Sequence, residues 1–199
     1  MTKKEIIWRE ILYQCIEGKN RQFTQKDLAA KFGFSLSTVF NALKSPRQIG
    51  AIKVSGRNFQ VVDIEKFLYL WATARNLKKD IIHQARVNEP AQEVEGLMPP
   101  SVVYGAYSAY RLKFQEVPAD YDRIYVYTGD LAELKKRFPE AGRGDYFNLI
   151  VLQADPFIKD YGPTTTLAQT FVDLWNLPEW YAKDFQESLK KGFSRSVED

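Results

Sequence analysis

The sequence predicts an α+β chain, an N-terminal unit of helices closed by a β-hairpin and then a mixed α/β domain. Three observations lead there. Thr24 to Val62 carries two capped segments of helical apolar spacing, then two alternating strands around Gly56. From Ser101 onward, helix-length patterns alternate with short apolar runs, the mark of a mixed layer architecture. Charge balance changes sign between the parts: residues 1–80 hold 15 Lys and Arg against 7 Asp and Glu, and residues 81–199 hold 13 against 18. The expected division therefore falls near residue 80.

Taken in order, Lys4 to Glu17 reads as a helix with Ile7, Trp8, Ile11, Leu12 and Cys15 on one side, ended by Gly18. Thr24 stands three residues before Asp27, an N-cap with an acid in the first turn. Leu28, Ala29 and Phe32 continue that helix, and Gly33 can take the left-handed conformation that stops it. Ser35 caps a second helix with Val39, Ala42 and Leu43 inward, and Ser45-Pro46 is expected to end it, because proline removes an amide donor. AIKV (51–54) and FQVV (59–62) alternate as strands around Ser55-Gly56-Arg57-Asn58, where glycine and asparagine are available for positive φ. Asp63 caps a helix to about Asn76 with Ile64, Phe67, Leu68, Trp71 and Ala72 apolar, either a scaffold helix or a dimer helix.

Beyond residue 80 the expectations are coarser. Ile81 to Val87 is strand or loop, and the Pro- and Glu-rich Asn88 to Pro100 is a connection. Ser101 to Leu112 suits a helix, Arg123 to Tyr127 a strand, Asp130 to Phe138 a helix and Tyr146 to Gln153 a strand. Thr166 to Trp175 and Glu179 to Lys191 read as two helices, with fraying expected after Gly192.

A single cysteine, Cys15, excludes a disulfide within the chain and reads as a small core residue. No run of about 18 apolar residues occurs, and the N-terminal MTKKEIIWRE lacks a signal core. The expectation is a soluble, cytoplasmic protein with no membrane partner.

The whole stretch from Thr24 to Val62 resembles a winged helix-turn-helix DNA-binding domain, which makes double-stranded DNA the expected partner. Residues 18–62 hold 8 basic residues to 1 acidic, the footprint of a surface that meets phosphates. The resemblance implies that the second helix enters the major groove. With Val39, Ala42 and Leu43 inward, Ser37, Thr38, Asn41 and Lys44 point outward. Asn41 can pair with adenine, while the Ser and Thr hydroxyls specify less. Lys44 and Arg47 are candidates for phosphates, as are Arg21 and Lys26 beside the preceding helix. Arg57 and Asn58 stand at the wing tip, where arginine can reach the minor groove or backbone. Lys53 is a further candidate with its facing unsettled. Phe40 should face outward, toward the wing or another subunit.

A second reading comes from Gly105-Ala106-Tyr107-Ser108 followed by Asp120-Tyr121-Asp122. That order resembles nucleotidyltransferases, in which a small-residue turn holds phosphate and an Asp-x-Asp pair binds magnesium. Asp145 or Asp155 could supply a third ligand. The alternative function is thus a nucleotidyltransferase-like or nucleotide-binding protein with an attached winged helix. His83 and Cys15 lie in no catalytic pattern, and no Walker loop or dinucleotide fingerprint is present. The first reading carries no catalytic or metal-binding residues and no cofactor.

Domain order, with PPSVVYGAYSAYRL, DRIYVYT and TTTLAQTFVDLWNLPEWYAKDFQESL, resembles the AbiEi family of antitoxin-type transcriptional regulators. The family implies DNA binding near its own promoter and, in some members, opposition to a nucleotidyltransferase toxin. The expected function is therefore a DNA-binding transcriptional regulator, not an enzyme. Residues 1–80 would dock DNA, and residues 81–199 would serve sensing, dimerisation or partner binding. An autoregulating antitoxin role with a toxin-like partner is the narrower form.

Overall fold

Helices in the first half begin where short polar side chains can take up free backbone amides. The computed structural model describes residues 1–139 and 146–198, with side chains through Phe193. Helix α1 (Lys3–Ile16) opens on a reciprocal capping box: Glu5 N–H donates to Thr2 Oγ1 at 3.3 Å, and Thr2 N–H to Glu5 Oε2 at 2.9 Å. Strand β1 (Gln22–Thr24), α2 (Gln25–Phe32) and α3 (Leu36–Gln48) follow, then β2 (Ile52–Ser55), β3 (Asn58–Val61) and α4 (Ile64–Ala74). Thr24, Ser35 and Asp63 cap α2, α3 and α4 as expected, and Gly33 ends α2 with φ 64°.

Two expectations here are corrected. Pro46 does not end α3; the helix runs through it to Gln48. Proline gives no N–H to the carbonyl four residues back, which is Ala42. The Trp8 indole N–H donates to that carbonyl instead, at 2.7 Å, so α1 supplies the missing bond. A Trp8→Phe variant keeps a ring for the edge contact with Phe67 but leaves the Ala42 carbonyl buried and unpaired. Urea unfolding should show a loss of about 1–3 kcal/mol, the usual cost of orphaning a buried acceptor. In the hairpin, Gly56 alone takes positive φ (58°), while Asn58 is already in β3, opposite Ser55. A glycine at the first central position suits a two-residue hairpin turn.

β1 was not foreseen. It pairs antiparallel with β3, giving a three-stranded sheet in the order β1-β3-β2. Its three residues are too few to show an alternating pattern.

The second half builds a four-stranded sheet, β4 (Ile81–Ala85), β7 (Leu149–Gln153), β6 (Ile124–Thr128) and β5 (Val103–Gly105) in that order. β6 and β7 are parallel, and the outer strands pair antiparallel to them. Around it lie α5 (Ala91–Gly96), α6 (Ala106–Phe114), α7 (Leu131–Arg137), α8 (Leu167–Trp175) and α9 (Ala182–Glu198). The expected connection over 88–100 thus contains a helix, and α9 continues past Gly192 rather than ending there. The single helix expected over 101–112 is instead a strand followed by a helix. Gly105 is needed at the join: a Cβ there would lie 2.9 Å from the Tyr127 ring.

Both faces of this sheet are covered. Ile124, Val126, Leu149 and Val151 point into a smaller cluster with Val94, Leu134 and Phe138, while Tyr125, Tyr127, Ile150 and Leu152 join the main core. Period-two alternation with both faces apolar explains why every residue of β6 is buried. The main core does not stop at residue 80; it runs from Ile6 and Trp8 through Phe67 and Trp71 to Phe171 and Phe185. Helix α8 is its axis, packing on α1, α4, α6 and α9, with all residues from Ala168 to Leu174 buried. The apolar face of α4 is spent in this core, on α1 and α8, which fits the scaffold alternative for that helix.

Two arginines from the first half enter this core. Arg9, fully buried, makes a bidentate pair with Asp155 at 2.7 Å for each bond and reaches Gln169 at 3.3 Å. Arg75 donates to Asp173 (3.2 Å), Asp80 (2.6 Å), Glu5 (3.4 Å) and the Tyr127 hydroxyl (3.2 Å). Cys15 is buried in α1, and desolvation pushes its thiol up to about 12 against a small opposing effect of Arg21. Since the thiolate is the nucleophile, Cys15 should resist iodoacetamide at about pH 8 in the folded protein and react once urea unfolds it. Labelling followed by intact-mass measurement reads both states.

Candidate nucleic-acid interface

The outward face of α3 follows from its inward one. Val39, Ala42, Leu43 and Pro46 are buried, so residues about half a turn away face solvent. Ser37, Asn41, Lys44 and Gln48 lie along that exposed stripe at helical spacing, with Phe40 and Arg47 flanking it. Ser37 is exposed and Thr38 half-buried, and both hydroxyls lie 2.9 Å from Ser35 Oγ. Ser35 Oγ also accepts the Thr38 N–H at 3.2 Å, so the cap sets the start of the stripe. Lys44 Nζ sits 5.4 Å from the Phe40 ring centre, a cation held over an exposed aromatic face. Phe40 faces outward as expected, 48% exposed, and Leu36 one turn before it is 56% exposed. Gln48 was missed because Pro46 was read as the end of the helix. Its amide can make the same paired bonds to adenine as that of Asn41.

Strand register settles the hairpin. Ile52 opposes Val61 and Val54 opposes Phe59, which puts these on one side of the sheet; Ile52, Phe59 and Val61 are buried there, while Val54, near the turn, is exposed. Lys53, Ser55, Asn58 and Gln60 alternate to the other side, and Gln22 and Thr24 extend it through β1. Lys53 is therefore exposed on the polar face, and Arg57 is exposed at the tip.

Residues 28–62 hold five Lys and Arg and no Asp or Glu. Lys31 is taken by Glu10 at 2.6 Å. Lys44, Arg47, Lys53 and Arg57 are all exposed and form no ion pair among the described residues. α3 and β2 are in contact, so the four belong to one packed helix and hairpin.

The structure brings Ser37, Asn41, Lys44 and Arg47 together on α3, with Thr38 at the edge of that face. It sets Arg57 and Asn58 on the hairpin that packs beside it. Lys26 is exposed in the first turn of α2. Arg21 is placed apart from them: it is half-buried before β1 and lines a cavity formed with α4, α8 and α9.

Most of the residues expected to serve nucleotidyl transfer are buried or bonded elsewhere. Gly105 is a packing requirement, as described, and Ser108 is fully buried in α6. Asp122 accepts from the Tyr181 hydroxyl at 2.5 Å and from the Tyr146 hydroxyl. Burial opposes its ionisation, but these bonds outweigh that and hold its carboxyl below the usual range. Asp120 stands exposed in a loop, Asp155 is bound to Arg9, and Asp145 lies outside the described residues. Among the described residues no group of three His, Cys, Asp or Glu side chains is placed to hold a metal ion, and no helix is long and apolar enough to cross a membrane.

Compared with family models, characterised proteins and solved structures, the chain matches none.

Proposed function

We propose that the chain is a duplex-DNA-binding transcriptional regulator whose first 80 residues act as a winged helix-turn-helix. In this reading α3 enters the major groove and the β2–β3 hairpin is the wing. The observation that carries it is the set of exposed, acid-free cations Lys44, Arg47, Lys53 and Arg57 around the polar stripe of α3. Supporting it are the element order α1-β1-α2-α3-β2-β3 and the sheet order β1-β3-β2. Phosphate contacts would set register through the cations, and base edges would be read by Asn41 and Gln48. Phe40 offers an apolar contact for a thymine methyl group. The narrower antitoxin role rests on the AbiEi resemblance alone, and co-purification with a nucleotidyltransferase encoded beside it would test that role.

Selection from a random duplex pool at low salt, followed by anisotropy titration, tests the DNA reading. Enrichment of a motif is expected, and absence of any duplex binding at low salt would falsify it. Asn41→Ala and Gln48→Ala should each cost about 1–3 kcal/mol on the selected site and much less on unrelated duplex, relaxing preference at single base pairs.

A further inference from the structure

The cavity that takes Arg21 from the basic surface has the composition of a ligand site. It measures about 330 Å³, within the range of roughly 300–1,000 Å³ typical of small-molecule pockets. Leu68, Phe171 and Phe193 form an apolar floor, all buried. Two cations stand on its wall. Lys190 donates to the Tyr69 hydroxyl at 2.8 Å and pairs with Glu65 at 2.8 Å. Of the acids on the wall, Asp63 is committed to the α4 cap, accepting the Lys66 N–H at 2.9 Å. Arg21 has no acidic partner among the described residues, although it is only half exposed. A cation left unpaired beside a buried aromatic floor is complementary to an amphipathic anion.

Place matters as much as composition. The Arg21 carbonyl accepts the Val61 N–H at 2.9 Å, and Val62 N–H donates to Ala51 at 2.9 Å. Two lining residues thus flank the central strand of the hairpin sheet, while Phe171, Lys190 and Phe193 come from α8 and α9. An occupant would touch both the hairpin's root and the second half of the chain.

We propose that this cavity binds a small amphipathic carboxylate, its anion on Arg21 and its apolar body on Leu68, Phe171 and Phe193. The consequence for DNA rests on the proposed function: occupancy shifts the hairpin against α3 and changes duplex affinity. Calorimetry on the full chain with 4-phenylbutyrate as probe tests the site, with the alcohol 4-phenylbutanol as its uncharged counterpart. Saturable binding below about 1 mM is expected, weaker by about tenfold or more for the alcohol and for Arg21→Gln. Val62→Trp, which fills the cavity from its rim and leaves Arg21 in place, should abolish it; thermal melts confirm that both variants fold. No heat with the unmodified chain at about 1 mM, or equal binding of acid and alcohol by Arg21→Gln and the unmodified chain, overturns the proposal. A duplex titration with and without probe is read separately. A chain that binds the probe but no duplex loses the DNA reading and keeps the site. One that binds both with no change in duplex affinity overturns the coupling.

Discussion

Replacing Arg75 with methionine should cost the fold about 3–5 kcal/mol, the usual penalty for removing one partner of a buried ion pair. Arg75 follows α4 and meets carboxylates from three elements, among them Asp173, which is 1% exposed in α8. The variant keeps most of the buried methylene volume and removes the charge, so the loss measures the stranded acids rather than a cavity. Asp173 already has its carboxyl pushed up by burial, against the pull of Arg75 and of the Tyr127 hydroxyl at 2.5 Å. Without Arg75 it rises further. An acid whose folded pKa lies above its unfolded one stabilises the fold below that pKa and loses the contribution as pH rises through it. The difference between the unmodified chain and Arg75→Met should therefore grow from about pH 5 to pH 7 in urea titrations. Arg75→Met with Asp173→Asn should recover part of it. A loss independent of pH would mean that Asp173 is not the stranded group.

This buried pairing also explains what the sequence concealed. Caps were legible because each is a local bargain: Thr24 with Asp27, Ser35 with Thr38 and Asp63 with Lys66 involve residues three apart. The inward residues of α3 and α4 were legible for the same reason, since helical spacing alone selects them. What failed depended on distant partners. Pro46 lies inside a helix in which Trp8, far earlier in the chain, serves the Ala42 carbonyl that proline leaves free. β1 exists only against β3, and β5 only against β6, so neither short strand has a pattern of its own. The charge reversal near residue 80 is real in composition, yet two of the cations that make it, Arg9 and Arg75, are sealed against Asp155 and Asp173 and add nothing to the surface. For the candidate interface the stripe of α3 is readable from helical spacing, Gln48 is hidden by the proline, and the place of Arg21 on a cavity wall is not legible, because charge alone does not say which way a side chain turns.

Neutralising Lys44, Arg47, Lys53 and Arg57 together to glutamine should remove nearly all duplex binding while leaving the fold intact. All four are exposed and without acid partners among the described residues, so their loss strands nothing. If each holds one phosphate, the plot of log affinity against log salt should flatten by about 3.6, roughly 0.9 for each contact. At about 0.1 M salt that corresponds to an affinity loss on the order of 10³-fold. Single replacements should each flatten the slope by about 0.9 on the selected duplex and on unrelated duplex alike, in contrast to Asn41→Ala and Gln48→Ala, which should change preference and leave the slope alone. This contrast separates positioning from reading. Were the unit a protein-docking module instead, the quadruple variant would alter partner capture without any slope to lose. A flat salt dependence in the unmodified chain would remove the phosphate role of all four cations at once, and with it the observation on which the regulator reading stands.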